Sequence, residues 1–428
     1  MLINELIIAD PDSISKLAFG LRARDFAARD VEQEVLDILV DVQARGIAAV
    51  ADWTRKFDAV DIDASSVEVP AEARKEALAG LEAPVADAMR KAAARIKAFS
   101  EKGIESDWTY QPGPGITVGQ VRRPMETVGL YVPGGRFAYP STVLMTGIPA
   151  RVAGVGAIVF CIPPGMDGRV NPATLAATAL VGGCRVFRIG GAQAVAAMAY
   201  GSDPVPACSM VAGPGNIYVA TAKRLLSSEV TVDIEAGPSE VVIYAGPTAR
   251  PSYSAFDLMA QLEHDPLALA VLVAESNETL DAVRQFIVQE GEDLDGTIDL
   301  VRSPGRAASL EFINALAPEH LELMFDDAAE LLPSIRNAGC VFLGPKSAVA
   351  LGDYIAGPSH VLPTGGSASR LSGLRAADFT RTMNVVAYTG EGLSADADDV
   401  ARLASLEGLK NHARSVEVRK GPDEDREV

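Results

Sequence analysis

The residues best equipped for chemistry are the four histidines, His264, His320, His360 and His412, the only ones in 428 positions. Each has a carboxylate nearby in the chain: Glu263 before His264, Glu319 before His320, Asp353 seven residues ahead of His360, and Glu407 five ahead of His412. Asp and Glu are common, so any one such neighbour is expected by chance. All four sit at turn or helix-end signals, however, which favours a shared site. Neutral imidazole is the commonest side-chain metal ligand, and it titrates near pH 7, which suits proton transfer. Gln261-Leu262-Glu263-His264 reads as the last turn of a helix from near Ser254, stopped by Asp265-Pro266. Three positions apart, Gln261 and His264 share one helix face. Together they present a carboxamide oxygen and an imidazole, which is half of a metal site or merely a polar helix end.

The elements that must position these groups follow a strand–helix alternation. Strand runs at 127–132, 157–162, 185–189, 209–212 and 230–234 alternate with helices, one of them opened by Asn171-Pro172, a cap followed by proline. Such alternation predicts a parallel sheet wound by right-handed crossovers. Ligands of these sheets sit beyond the carboxyl ends of the strands. The loops Pro133-Gly134-Gly135, Gly190-Gly191-Ala192-Gln193 and Gly213-Pro214-Gly215-Asn216 fall there. Their glycines invite a dinucleotide, yet the strict GxGxxG spacing is absent, and tight strand-to-helix turns need glycine anyway.

A second series has strands at 241–244, 269–274, 297–301, 321–324 and 339–343, and carries Gln261, His264, His320, Asp353 and His360. A cleft between the sheets would join histidines and glycine loops. The expected fold is α/β: two similar wound, mainly parallel, incomplete Rossmann-like sheets, with a small N-terminal arm and a C-terminal helical domain. The expected division is an arm over 1–25, a first α/β domain over 26–128 plus 237–377 with the histidine site, a second over 129–236 with the glycine loops, and a helical end over 378–428. Residues 60–120 suggest no function.

Composition narrows the class. At 48% hydrophobic and 22% charged, the chain is globular, and its length calls for more than one domain. A net charge of −19 argues against nucleic acid or an anionic membrane as partner. The N-terminus lacks signal-peptide character, and the weakly polar run 152–165 is too short to span a bilayer. Cys161, Cys184, Cys208 and Cys340 are widely spaced without a CxxC pair, and read as reduced, packed thiols of a cytoplasmic protein.

Taken together, these stretches resemble the histidinol dehydrogenase family over nearly the whole chain. The matching residues include Gly129-Leu130-Tyr131-Val132-Pro133-Gly134-Gly135, Gly190-Gly191-Ala192-Gln193-Ala194, Gly213-Pro214-Gly215-Asn216 and Ala236-Gly237-Pro238-Ser239-Glu240. They continue through 261–266, Pro318-Glu319-His320-Leu321, Gly352-Asp353-Tyr354, 357–364 and 407–412. The resemblance implies that Gln261, His264, Asp353 and His412 bind one zinc ion per subunit, and that Glu319 and His320 are the acid–base pair. It implies substrate contacts at Ser239, His360 and Glu407, joined by His320 and the metal ligands, and NAD contacts at Tyr131, Gln193 and Asn216. It also implies a homodimer in which the C-terminal segment, with Glu407 and His412, completes the partner's site.

The implied reaction is the four-electron oxidation of L-histidinol to L-histidine through L-histidinal, the last step of histidine biosynthesis. Four departures from the family pattern stand at Thr127, Gly246, Ala348-Val349 and Ser359. None is an implied ligand or catalytic residue, but they leave open a paralogue acting on another alcohol, such as a sulfopropanediol. From the residues alone a metallohydrolase also stays open, because Glu beside His at a metal activates water too. Adjacent residues on a strand point to opposite sides, so Glu319 and His320 are expected on a turn.

Overall fold

Two runs, Glu240–Ala245 and Leu269–Ala274, are buried at every position. Strands so apolar suit only the middle of a parallel sheet covered on both faces. The computed structural model describes residues 1–23, 31–134, 138–234, 237–291 and 294–420. In chain order its strands are β1 (Leu2–Ile7), β2 (Trp108–Gly113), β3 (Ile116–Pro124), β4 (Thr127–Tyr131), β5 (Ala157–Cys161), β6 (Cys184–Phe187) and β7 (Met210–Ala212). They continue with β8 (Thr231–Val232), β9 (Glu240–Ala245), β10 (Leu269–Ala274), β11 (Thr297–Arg302), β12 (His320–Met324), β13 (Cys340–Leu343) and β14 (Thr380–Tyr388).

The chain divides into two compact units, 1–103 with 125–379, and 104–124 with 380–428. The first holds two parallel sheets, as the alternation of elements predicts. One has the order β6-β5-β4-β7-β8, the other β1-β11-β10-β9-β12-β13. Strand order reverses between β4 and β7 in the first sheet, and between β9 and β12 in the second. Such switch points open the crevice that ligands occupy.

Three features differ from the sequence expectation. Residues 2–7, read as part of an arm, form β1, which pairs in register with β11 from Leu2–Thr297 to Ile7–Arg302. Helices Glu32–Arg45 and Ile47–Asp58, assigned with the histidine-bearing sheet, instead bury Val35, Ile38, Leu39 and Val50 with Val159, Phe187 and Ala194 on the glycine-loop sheet. The C-terminal segment is helical over Gly390–Leu406 and Lys410–Glu417 but opens with β14, which pairs antiparallel with β3 beside β2. β14 is exposed at almost every position, so no buried alternation marks it; its β-branched and aromatic residues are the only local sign.

All four cysteines are free thiols, three of them buried. Among the described residues no helix is long and apolar enough to cross a membrane.

Candidate functional site

The site is built at the amino ends of β9 and β12. Helix Arg306–Leu316 ends at Ala317, which takes a left-handed conformation (φ 50°), and Pro318 forbids continuation. The chain then enters β12 with His320 as its first residue. This corrects the expectation of a turn, since His320 heads a strand and Glu319 only precedes it. Their side chains still meet, because both bend back to Glu240 at the start of β9. Glu319 Oε2 accepts from the Glu240 backbone N–H (2.8 Å), and His320 Nδ1 donates to the Glu240 carbonyl (2.9 Å). The Glu240 carboxylate in turn accepts from the N–H groups of Glu319 (3.0 Å) and Gly365 (2.7 Å). A carboxylate this deeply buried requires such donors.

A carbonyl only accepts, so Nδ1 of His320 carries a proton and Nε2 holds the lone pair of the neutral ring. That Nε2 is buried without a hydrogen-bond partner and lies 3.5 Å from Asp353 Oδ1. Burial acts most strongly on this imidazole and lowers its affinity for protons. Glu319 and Asp353 together outweigh it and hold the ring well above the usual histidine range. A ring held this high carries a proton on Nε2 as well at neutral pH, and takes one from a substrate only after that proton has left.

The carboxyl ends of the same two strands carry packed aromatic rings instead. Phe325 folds edge-on against Tyr244, with centroids 4.6 Å apart, and a Cβ at position 246 would lie 2.6 Å from the Phe325 ring.

Asp353 sits in a π-helical turn, Gly352–Ala356, a backbone form often found at functional sites. His360 Nδ1 donates to the Asp353 carbonyl (3.0 Å), and its Nε2 accepts from the Thr142 hydroxyl (3.1 Å) on helix Pro140–Val152. Burial raises the Asp353 carboxyl, but the contact with His320 and the charges of His320, His360 and His264 lower it further than burial lifts it. Burial keeps His360 below its ordinary value against the pull of Asp353. A small cavity, about 10 Å³, lies among His320, Cys340, Phe342, Asp353 and His360, room for one water-sized species.

Gln261 and His264 end helix Pro251–His264, as their spacing predicts, although the helix starts at Pro251 rather than near Ser254. Gln261 is buried and its Nε2 has no partner, whereas His264 is exposed. Neither lines the small cavity; His264 reaches the cluster through its charge on Asp353. A larger groove, about 640 Å³, runs along the same helix at Phe256, Asp257 and Glu263 and contains no histidine. Ser239 is partly buried before β9, with its carbonyl accepting from Leu269 (3.0 Å). Glu407 and His412 belong to the second unit, where both are exposed, Glu407 after helix Gly390–Leu406 and His412 within helix Lys410–Glu417. Among the described residues no three His, Cys, Asp or Glu side chains are arranged to hold a metal ion.

The glycine loops gather at the carboxyl ends of β4, β6 and β7. The Tyr131 hydroxyl accepts from Gly191 N–H (3.1 Å), and burial raises its pKa. Gln193 is buried with Oε1 unpartnered. Asn216 is exposed and caps helix Ile217–Leu226, its Oδ1 accepting from Tyr218 and Val219. A Cβ on Gly213 (φ +115°) would lie 2.1 Å from the Tyr131 carbonyl, and Gly134 and Gly190 both abut Pro163. Side chains are thus excluded at the switch point of this sheet. Gly135 lies outside the described residues.

Sequence reasoning passed over Glu240 and Thr142 as site residues. Glu240 did carry a signal, a carboxylate opening an otherwise apolar strand; Thr142 carried none.

Comparison with known proteins places these features in context. The family model described as histidinol dehydrogenase matches residues 21–420. The histidinol dehydrogenase of Geobacter metallireducens is 42% identical over 98% of this chain and 99% of its own. That of Methanothermobacter thermautotrophicus is 44% identical over 91% and 93%. The crystal structure of histidinol dehydrogenase from Elizabethkingia anophelis superposes with a TM-score of 0.90 at 29% identity, covering 97% of each chain.

Proposed function

Since the chain belongs to the histidinol dehydrogenase family, we propose that it oxidises L-histidinol to L-histidine, in histidine biosynthesis, with two NAD as oxidants and one zinc ion per subunit. It is an oxidoreductase. The observation that carries the chemistry is the buried, unpartnered Nε2 of His320, held by Glu240 next to Glu319.

In the first oxidation His320 Nε2 takes the hydroxyl proton while the alcohol carbon gives up a hydride, leaving the aldehyde. Glu319 then takes a proton from water as the water oxygen adds to the aldehyde carbon, and His320 returns its proton to the aldehyde oxygen, giving the hydrate. Loss of a second hydride from the hydrate, with one proton again passing to His320, yields the carboxylic acid, which releases its remaining proton to solvent as the carboxylate. NAD, when bound, supplies the hydride acceptor. Zinc, when bound, supplies orientation of the substrate and a positive field at its polar groups.

Gln261, His264 and Asp353 would hold the metal, with the partner subunit's His412 as fourth ligand in a homodimer. Two imidazoles, a carboxylate and a carboxamide suit zinc. The position of Gln261 and His264 on the last turn of one helix, and the charge coupling of His264 to Asp353, support this set. Ser239, His360 and the partner subunit's Glu407 would contact the substrate. Tyr131, Gln193 and Asn216 would line the dinucleotide site, which the crowded glycines at the β4–β7 switch point support. Its setting would be the cytoplasm.

The test is absorbance of NADH on incubating zinc-loaded protein with NAD and histidinol, alongside sulfopropanediol as a control alcohol. Two NADH per histidine are expected. No absorbance change with histidinol, or faster reduction with the control alcohol, refutes the substrate.

A further inference from the structure

Both backbone polar groups of Gly213 are taken by one buried ion pair. Lys223 Nζ donates to the Gly213 carbonyl (3.0 Å), and Asp233 Oδ2 accepts from the Gly213 N–H (2.8 Å). The two side chains are 2% exposed each and pair with one another. Lys223 comes from helix Ile217–Leu226 and Asp233 from the residue after β8, so two separate elements converge on one glycine. That glycine rests on the end of β4, where no Cβ fits.

Stability does not account for this arrangement. The desolvation of a buried ion pair roughly cancels its attraction, and apolar residues of similar volume often serve equally well or better. The pair does fix a backbone. A charged donor and a charged acceptor clamp the peptide units on either side of Gly213, and the clamp sets the path of Pro214, Gly215 and Asn216 into the helix. Each partner's charge is met by the other, so the pair contributes geometry rather than a free charge to attract an anion.

We propose that Lys223 and Asp233 are positioning residues for the dinucleotide, holding the loop 213–216 in the shape that receives NAD. This rests on the NAD reading above. The test is calorimetric titration of NAD into the full-length protein, as wild type, the apolar double variant K223M/D233L, and the near-isosteric D233N. Loss of charge-assisted hydrogen bonds to the loop predicts a weakening of NAD binding by about ten- to a hundredfold in both variants. The KM for NAD should rise in step, the KM for histidinol should stay within about twofold, and amide exchange at Gly213, Gly215 and Asn216 should quicken, with the double variant still folded. A folded variant with wild-type NAD affinity overturns the proposal. So does an equal rise in both KM values, or loss of folding in both variants, which would assign the pair to stability. Failure of the wild type itself to bind NAD would instead remove the cofactor reading.

Discussion

Replacing Glu240 by alanine probes the anchorage of the proposed acid–base pair without touching either member. The carboxylate accepts from two backbone N–H groups, the buried one of Glu319 at 3.0 Å and the partly buried one of Gly365 at 2.7 Å. Truncation leaves both donors without this acceptor. Each buried, unmade hydrogen bond costs about 1–3 kcal/mol, so E240A should lose about 2–4 kcal/mol, the lower share coming from the more exposed Gly365. E240Q keeps one acceptor oxygen but turns an amide N–H₂ toward the other donor, so about half that loss is expected. The backbone of Glu240 still holds Glu319 Oε2 and His320 Nδ1, yet the loop before β12 is freed, and a shift of about 1 Å in a reacting group costs about a hundredfold in rate. Turnover should therefore fall about ten- to a hundredfold in E240A and less in E240Q. Urea-denaturation midpoints by circular dichroism and initial rates of NADH formation check both quantities. E240A with a wild-type midpoint and wild-type turnover would refute Glu240 as the anchor.

Other outcomes follow from the same geometry. His320→Gln should lower turnover by about two to four orders of magnitude, the scale for a general base, and near-normal turnover would remove His320 from proton transfer. Purified His264→Asn should lose zinc by elemental analysis, and full retention at unchanged affinity would exclude it as a ligand. Glu322 is buried in β12 with Oε1 accepting from Val349 N–H (2.9 Å); burial and the Asp257 carboxylate raise it well above the carboxylate range, and burial lifts Asp257 to about 6. The folded protein thus holds protons that the unfolded chain releases near pH 4, so this pair's contribution to stability is present below about pH 4 and is lost as pH rises through 6 and beyond. Glu322→Gln supplies an N–H in place of the shared proton. Its melting temperature should gain on wild type between about pH 5 and pH 8, and parallel curves would show that the pair does not couple to folding.

Much of the molecule is decided within short windows of chain. The strand–helix alternation, the Asn171 and Asn216 caps, and the placement of Gln261 and His264 on the last turn before Asp265-Pro266 all depend on residues within a few positions of each other. Periodicity and capping act over that range, so the sequence by itself determined the α/β class and which side chains could share a helix face.

What only the tertiary structure decided involves surfaces far apart in the chain. β1 finds its partner in β11 almost three hundred residues away, and β14 finds β3 across a similar gap, although neither shows a strong local pattern. The helices of 32–58 have an apolar face that would suit either sheet, and packing alone seats them on the glycine-loop sheet. The same holds at the site. Glu240 becomes the hub of Glu319 and His320 only because β9 lies beside β12, and the proton on His320 Nδ1 is set by a carbonyl eighty positions distant. Hydrogen bonds and burial are properties of the neighbours a residue meets in space, and those neighbours are chosen when whole faces pack together, not by the residues adjacent in sequence.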